Sequence, residues 1–266
     1  MDRLDVAKEM GADPALAPMG FELDAGNRGS SYGRPVSRNR TRLQSGLPLT
    51  MRAGEPLTVE ISLSRRARLK LKRAMDVAFA GLALVGLLPL LLLVALIIKL
   101  TSPGPALFRQ AREGLNGKPF GIYKFRSMDM AACDQSGVVQ TVEGDARVTP
   151  FGKLLRRTSI DELPQLLNVL QGDMSLVGPR PHVAGMRAGG MAYRDLVPYY
   201  DLRLDMVPGL TGWAQVNGLR GPTVDATRAR ARVDHDIAYI QNFSLWLDLR
   251  IMVMTVAREF LRGTGD

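Results

Sequence analysis

Between Asp76 and Lys99 the chain runs for 22 residues, Val77 to Ile98, without one charged side chain. As straight helix that is about 33 Å, close to a bilayer core of roughly 30 Å. A stretch this long and apolar on every side is poorly suited to a soluble core, so membrane contact is predicted. Two features bear on how the segment sits. Pro89 lies near its middle, where it removes a backbone donor and clashes with the preceding turn, which predicts a kink. Basic residues flank both ends: six in RRARLKLKR at 65–73, then Lys99, Arg109 and Arg112. An ordinary span carries that bias on one side. A helix-break-helix hairpin bent at Pro89, with both ends in one compartment, satisfies it twice; a kinked single span is the alternative. The basic cluster also predicts attraction to an anionic lipid bilayer.

Residues 1–58 hold 8 basic and 7 acidic residues, many Gly, Pro and Ser, and no sustained apolar period. They are predicted to form a mostly disordered extension with one short helix near its start. Met1 to Gly20 lacks the apolar region of a signal peptide. Of the formal +9, an excess of +8 therefore belongs to the ordered remainder. Cys133 stands alone, which excludes an internal disulfide framework, and 6% aromatic residues disfavour base-stacking platforms. With the positive excess beside the apolar run, nucleic acid is not a predicted partner. The organisation predicted is an extension over 1–58, a basic juxtamembrane segment over 59–73, a re-entrant membrane helix over 74–100 and a domain at the membrane surface over 101–266, which the resemblance given below implies to be cytoplasmic and catalytic.

TSPGP at 101–105 is a breaker cluster that ends the helix near Leu100. Asn116-Gly117, between two segments of strand-like composition, predicts a hairpin. In an extended IYKFR, Lys124 and Arg126 share one face, suited to phosphate or to a solvated strand edge. The most informative stretch is Phe151 to Pro181. Ile160, Leu163, Leu166, Leu167 and Leu170 recur at helical spacing. Ser159 and Glu162 fit a capping box, with Asp161 in the first turn. Pro164 leaves the Ile160 carbonyl without its usual partner, so either the first turn is distorted or the helix begins nearer Leu163.

The adjacent carboxylates Asp161 and Glu162 admit a structural reading as caps. They also admit a chemical one: neighbouring side chains on a helix diverge by about 100°, so one carboxylate can attack while the other holds a divalent metal. Arg156, Arg157 and Arg180 supply cations for phosphate, and the prolines around Arg180 fix its backbone. Together these favour a site for phosphate esters. The glycine-rich segment 207–221, with Trp213, Gln215 and Asn217, reads either as a loop gripping a sugar or base or as a connector. A helix from Thr223 to Asn242 is predicted to turn Val233, Ile237 and Ile240 inward and Arg228, Arg230 and Arg232 outward. The last helix, about Leu245 to Leu261, is amphipathic rather than spanning, with Trp246 at a membrane interface or in the core. His182 and His235 read as structural, and neither a zinc cluster, a Walker loop nor a dinucleotide fingerprint occurs.

At these motifs the chain resembles the bacterial sugar transferase family, monotopic phosphoglycosyl transferases that start polyprenyl-linked polysaccharide synthesis. The resemblance is carried by KRAMD at 72–76, the proline-interrupted apolar helix, YKFRSM at 123–128, TSIDELPQLLNVLQGDMSLVGPRPH at 158–182, PGLTGWAQVNG at 208–218 and DIAYIQNFSLWLDLRIMVMT at 236–255. It implies a mainly α fold with a small β-hairpin, a re-entrant helix broken at Pro89, surface amphipathic helices, and both termini on the cytoplasmic face of the bacterial inner membrane. It further implies transfer of a sugar 1-phosphate from a UDP-sugar to polyprenyl (undecaprenyl) phosphate, releasing UMP with Mg2+, as the first membrane step of exopolysaccharide or capsule synthesis.

By the same resemblance Asp161 is the nucleophile and Glu162, beside it, helps bind the metal. Lys124, Arg126, Arg156 and Arg180 neutralise phosphates, and Gln215 and Asp236 complete the substrate-binding set. One departure concerns the break: Leu88 precedes Pro89, where members with the smallest architecture often have Ser. The stretch His182 to Gly221 looks more like hexose-phosphate members than like N-acetylated diaminosugar members, favouring glucose or galactose on a uridine carrier. A catalytically inactive membrane-attached scaffold is the alternative reading. A homodimer and other polysaccharide-assembly enzymes stand as possible further partners.

Overall fold

The computed structural model describes residues 63–130, 144–222 and 225–262, together with a short antiparallel pair, β1 (Arg40–Thr41) and β2 (Leu49–Thr50). Apart from that pair, the extension expected over 1–58 lies outside the described residues. The chain divides into Met1–Pro35 and Val36–Asp266, and all that follows belongs to the second unit.

The apolar run is the centre of α1 (Leu63–Thr101), a helix of 39 residues that continues through Pro89 without interruption. The separation into two helical arms expected at Pro89 is therefore not present as a break in the helix. A proline at this depth removes one hydrogen bond, which a bend can absorb while the helix continues. One stripe of α1 is buried: Lys72, Asp76, Ala80, Val94 and Ile98, with Leu84, Leu87 and Leu91 partly covered between them. The opposite stripe is bare, with Leu82 70% and Val85 76% exposed. Hydropathy alone cannot divide such a helix, because both stripes are equally apolar.

Polar residues at the two ends of the run hold α1 to the rest of the molecule. Before it, Lys72 Nζ lies 2.7 Å from Asp248 Oδ2, and Asp76 accepts from Ser175 Oγ at 2.8 Å and from the Leu176 amide at 3.1 Å. Arg73 donates to the Leu170 carbonyl at 2.9 Å. After it, buried Arg126 donates to the Ser102 carbonyl at 2.7 Å, to Ile98 O at 3.3 Å and to Pro103 O. A guanidinium on the last carbonyls of a helix satisfies acceptors that have no partner within it. Gly104, at φ +111°, makes room, since a Cβ there would collide with that guanidinium.

The hairpin forms as predicted. β3 (Leu107–Glu113) pairs with β4 (Pro119–Phe125) in the register Leu107↔Phe125 to Glu113↔Pro119. Asn116 and Gly117 both take positive φ, 54° and 73°, within a connection longer than a two-residue turn. Helix α2 (Pro150–Arg157) is capped by Thr149, whose Oγ1 accepts from the Gly152 amide at 2.9 Å. A 3-10 turn at Ile160–Glu162 leads into α3 (Gln165–Gln171). Leu166 and Val169 of α3 pack on Ala80 and Ile122. Leu167 and Leu170, expected on the same apolar face, are more than a third exposed.

β5 (Ser175–Val177) pairs in parallel with β8 (Gly209–Thr211), so the GPRP and PGLTG segments lie side by side. Gly178 and Gly209 approach so closely that a Cβ on either would strike the other segment's backbone. Between these strands lie a small pair, β6 (Arg187–Ala188) and β7 (Met191–Ala192), then α4 (Tyr193–Leu196) and a 3-10 turn at Tyr200–Leu204. The short α5 (Trp213–Val216) follows β8. Helix α6 (Ala226–Gln241), capped by Asp225, buries Val233, Ile237 and Ile240 as predicted. It also buries Arg232, expected on the solvated side. Helix α7 (Leu245–Arg262) buries Leu247, Asp248 and Ile251 and leaves Trp246, Leu249, Val253 and Val256 exposed. Trp246 is 72% exposed, so it is not a core residue.

Candidate active site

The turn bearing the two carboxylates is built around Pro164. Having no N–H, Pro164 cannot bond the Ile160 carbonyl; Leu163 N does so instead at 3.2 Å, which tightens the backbone into a 3-10 turn. The distorted first turn and the later helix start both follow. Ser159 adopts a left-handed conformation, φ 55° and ψ 15°, and does not cap the turn with its side chain. The expected capping box is therefore not formed, because a cap needs extended backbone at that position. With that structural role gone, the acidic pair needs another explanation.

Glu162 and Asp161 have opposite surroundings. Lys124 Nζ lies 2.7 Å from Glu162 Oε1, and Arg180 donates to both oxygens, at 2.5 and 3.1 Å. Burial alone would raise this carboxyl, but Arg180 and Lys124 outweigh it and hold Glu162 well below the usual carboxylate range. Asp161 is only 6% exposed and receives no side-chain hydrogen bond among the described residues. Burial, opposed by Lys124, pushes its carboxyl up to about 6. A charged, pinned acid thus sits beside an unpinned and poorly solvated one, the type of difference that separates a positioning carboxylate from a reacting one.

The remaining predicted residues divide in two. Arg156 donates Nε to Ser127 Oγ at 2.9 Å and lowers the Asp161 carboxyl, so it belongs to the site. Asp236 is buried and accepts from Arg203 Nε and Nη2 at 3.0 and 2.7 Å, while Arg203 Nη2 also donates to the Arg180 carbonyl. Asp236 acts on the site through Arg203 and the backbone of Arg180. Arg126 and Gln215 are placed elsewhere. Arg126 is engaged by the end of α1, one residue beyond a strand whose Lys124 does reach Glu162. Buried Gln215 donates to the Leu210 carbonyl at 3.2 Å, behind the β5–β8 pair.

Three residues of this region were not singled out as site residues from sequence. Arg203 fixes Asp236, and Arg112 and Arg232 lie close to Arg180. Only Arg232 left a sequence trace, since it stands one helical turn before Asp236. Buried His182 meets Tyr200 Oη at 3.0 Å through Nδ1. Burial, then Arg203, Arg232, Arg112 and Arg180, hold its imidazole well below the ordinary histidine value, so it is neutral. No cluster of three or more His, Cys, Asp or Glu able to hold a metal occurs among the described residues. The hard oxygens of Asp161 and Glu162 are the donors present. A pair of carboxylates fits Mg2+, which commonly takes one or two from the protein and its other ligands from substrate phosphates and water.

A buried, unpinned carboxylate, a carboxylate pinned by two cations and an arginine held between prolines form a site suited to phosphate groups. Residues 67–262 match the family model described as bacterial sugar transferase, and the chain belongs to that family. Among its relatives, an exopolysaccharide production protein PSS of Rhizobium leguminosarum bv. phaseoli is 57% identical over 197 residues, covering 74% of this chain and 98% of the relative. A UDP-glucose:undecaprenyl-phosphate glucose-1-phosphate transferase of Caulobacter vibrioides is 52% identical over 210 residues, 78% of this chain and 74% of the relative. The Escherichia coli K12 protein of the same description is 48% identical over 191 residues, which span 72% of this chain and 40% of that longer protein.

Proposed function

We propose that this protein transfers a hexose 1-phosphate, glucose 1-phosphate first among candidates, from a UDP-sugar to undecaprenyl phosphate, as the first membrane step of exopolysaccharide or capsule synthesis. The observation that carries the reading is the contrast between Asp161 and Glu162 inside a ring of cations. An Asp161 oxygen forms a bond to the sugar-bearing phosphorus, and the bond from that phosphorus to the bridging oxygen breaks, so UMP leaves. An oxygen of the acceptor phosphate then attacks the same phosphorus, and the aspartyl bond breaks to regenerate the carboxylate. Lys124, Arg156 and Arg180 offset the repulsion between carboxylate and diphosphate and stabilise charge during transfer. Asp161 and Glu162 would hold Mg2+, which when bound withdraws charge from the phosphate oxygens. The names of the relatives support UDP-glucose as donor.

The bilayer is entered by α1 in re-entrant fashion, from the cytoplasmic face, with both termini cytoplasmic. In support, residues on both sides of the apolar run are tied to the same folded unit, Lys72 to Asp248 and Arg126 to the Ser102 carbonyl. The length between them is covered as well: Ala80, Val94 and Ile98 are buried against that unit, where a helix crossing the bilayer alone would meet lipid on every side. The exposed row Trp246, Leu249, Val253 and Val256 on α7 supplies a second apolar surface suited to the interface. In sealed inside-out vesicles, tags at both termini should be cleaved by added protease; one protected tag would exclude the re-entrant arrangement.

The reaction is tested by a donor panel on purified protein in nanodiscs containing undecaprenyl phosphate. UDP-glucose should release UMP in a Mg2+-dependent manner, falling to background with excess chelator and returning on Mg2+ addition. Absence of release from every nucleotide sugar tested would leave an inactive scaffold as the surviving reading, and undiminished release in chelator would remove the metal.

A further inference from the structure

Resting on the transferase reading, we propose that Arg112 and Arg232, together with Arg180, form a guanidinium seat for the phosphate of the nucleoside monophosphate half of the donor. The three come from distant parts of the sequence. Arg112 is on the face of the hairpin that carries Lys124, because Arg112↔Phe120 and Phe108↔Lys124 are facing pairs of one ladder an even number of residues apart. The end of that strand is joined to the GPRP segment by a hydrogen bond of 2.8 Å from the Glu113 amide to the His182 carbonyl. Arg232 lies one turn from Asp236, whose partner Arg203 holds the Arg180 carbonyl. The end of β3, the GPRP loop and one face of α6 therefore converge.

The charges at that point do not balance. Arg232 is 4% exposed, yet neither it nor Arg112 forms an ion pair with any carboxylate among the described residues. Arg232 Nη2 donates only to the Gly221 carbonyl and Arg112 Nη2 only to Gln110 Oε1. The Nε of both arginines, His182 Nε2 and Tyr193 Oη are enclosed without a protein partner. Such groups are costly to bury unless something satisfies them. His182, held neutral, adds no charge, and burial together with the nearby Arg180 draws the Arg112 guanidinium down to about 10. A phosphate supplies what is missing: negative charge and several acceptor oxygens.

The donor is favoured over the lipid phosphate by position. Arg232 is on the helix whose neighbours Ala229, Val233 and Ile237 build the core with Tyr193 and Tyr200, and that core contains no residue of α1. The cores that include α1 residues lie under Ile122, Phe125, Leu155 and Leu166.

Binding of UMP, uridine and a short-chain polyprenyl phosphate to the full chain in nanodiscs, followed by calorimetry, tests the proposal. Wild-type protein should bind UMP at least about tenfold more tightly than uridine, as charge-assisted hydrogen bonds imply. Arg112→Gln and Arg232→Gln should each lower UMP affinity roughly tenfold or more while leaving uridine and polyprenyl phosphate unchanged, and Lys in either place should restore part of it. Equal affinity of the wild type for UMP and uridine, unchanged UMP binding in both variants, or a loss that falls on polyprenyl phosphate instead would overturn it. If a Gln variant does not fold, the Lys variants and the wild-type UMP-to-uridine ratio still decide. Turnover of UDP-glucose by wild type is scored separately: activity without this binding pattern rejects the seat alone, and no turnover rejects the transferase.

Discussion

Replacing Asp161 by Asn is expected to abolish UMP release, by a factor on the order of 10³ or more, without unfolding the protein. The substitution keeps shape and removes only the nucleophilic oxygen's charge. Asp161 receives no side-chain hydrogen bond among the described residues, and the burial cost that the substitution removes outweighs the attraction of Lys124, Arg156 and Arg180 that it loses. The melting temperature should stay the same or rise. Wild-type protein given UDP-glucose without acceptor should carry the mass of a hexose phosphate on the peptide containing Asp161, and the Asn variant should not. Full turnover by the variant would remove Asp161 as nucleophile and with it the two-step scheme.

The second large effect concerns the anchoring of α1. Lys72→Met leaves Asp248 buried without its cation, with Asp76 beside it, and a broken buried pair costs about 3–5 kcal/mol. Tyr239 Oη still donates to Asp248 at 2.6 Å, which satisfies one oxygen but neutralises nothing. Burial already raises the Asp248 carboxyl against the pull of Lys72, so losing the lysine leaves that cost unopposed. For a domain of this size the melting temperature should fall by on the order of 10 °C. Pairing Lys72→Met with Asp248→Leu should recover most of the loss, since two apolar groups leave no orphan charge. A single variant that melts like the wild type would show that the pair does not anchor the helix.

Much of the architecture was legible because it rests on local rules. Asn116-Gly117 announced the hairpin, the spacing of Val233, Ile237 and Ile240 oriented α6, and Pro164 announced an irregular turn whose form the 3-10 geometry then specified. Asp161, Glu162, Lys124, Arg156 and Arg180 could be gathered as candidates by residue type and nearness to GPRP, and they do meet. Failures of the reading share a cause. Alternation placed Arg126 on the face of Lys124, but it cannot say what each end of that face meets, and Arg126 meets the end of α1. Three arginines at alternate positions looked like a solvated face, yet Arg232 is enclosed because α4 and the Tyr200–Leu204 turn cover that side of α6.

By itself the sequence determined that an uncharged run of bilayer length is flanked by cations, that a carboxylate pair sits at a proline-distorted turn, and that the positive excess lies outside residues 1–58. These follow from short-range sterics and from the cost of burying charge, which operate within a few residues. Only the tertiary structure decided which acid is pinned and which is unpinned, that both ends of the apolar run hold the same folded unit, and that Arg112, Arg203 and Arg232 surround Arg180. Electrostatic partners are chosen by distance in space, and residues more than a hundred positions apart become neighbours only once the hairpin, the GPRP loop and α6 have packed.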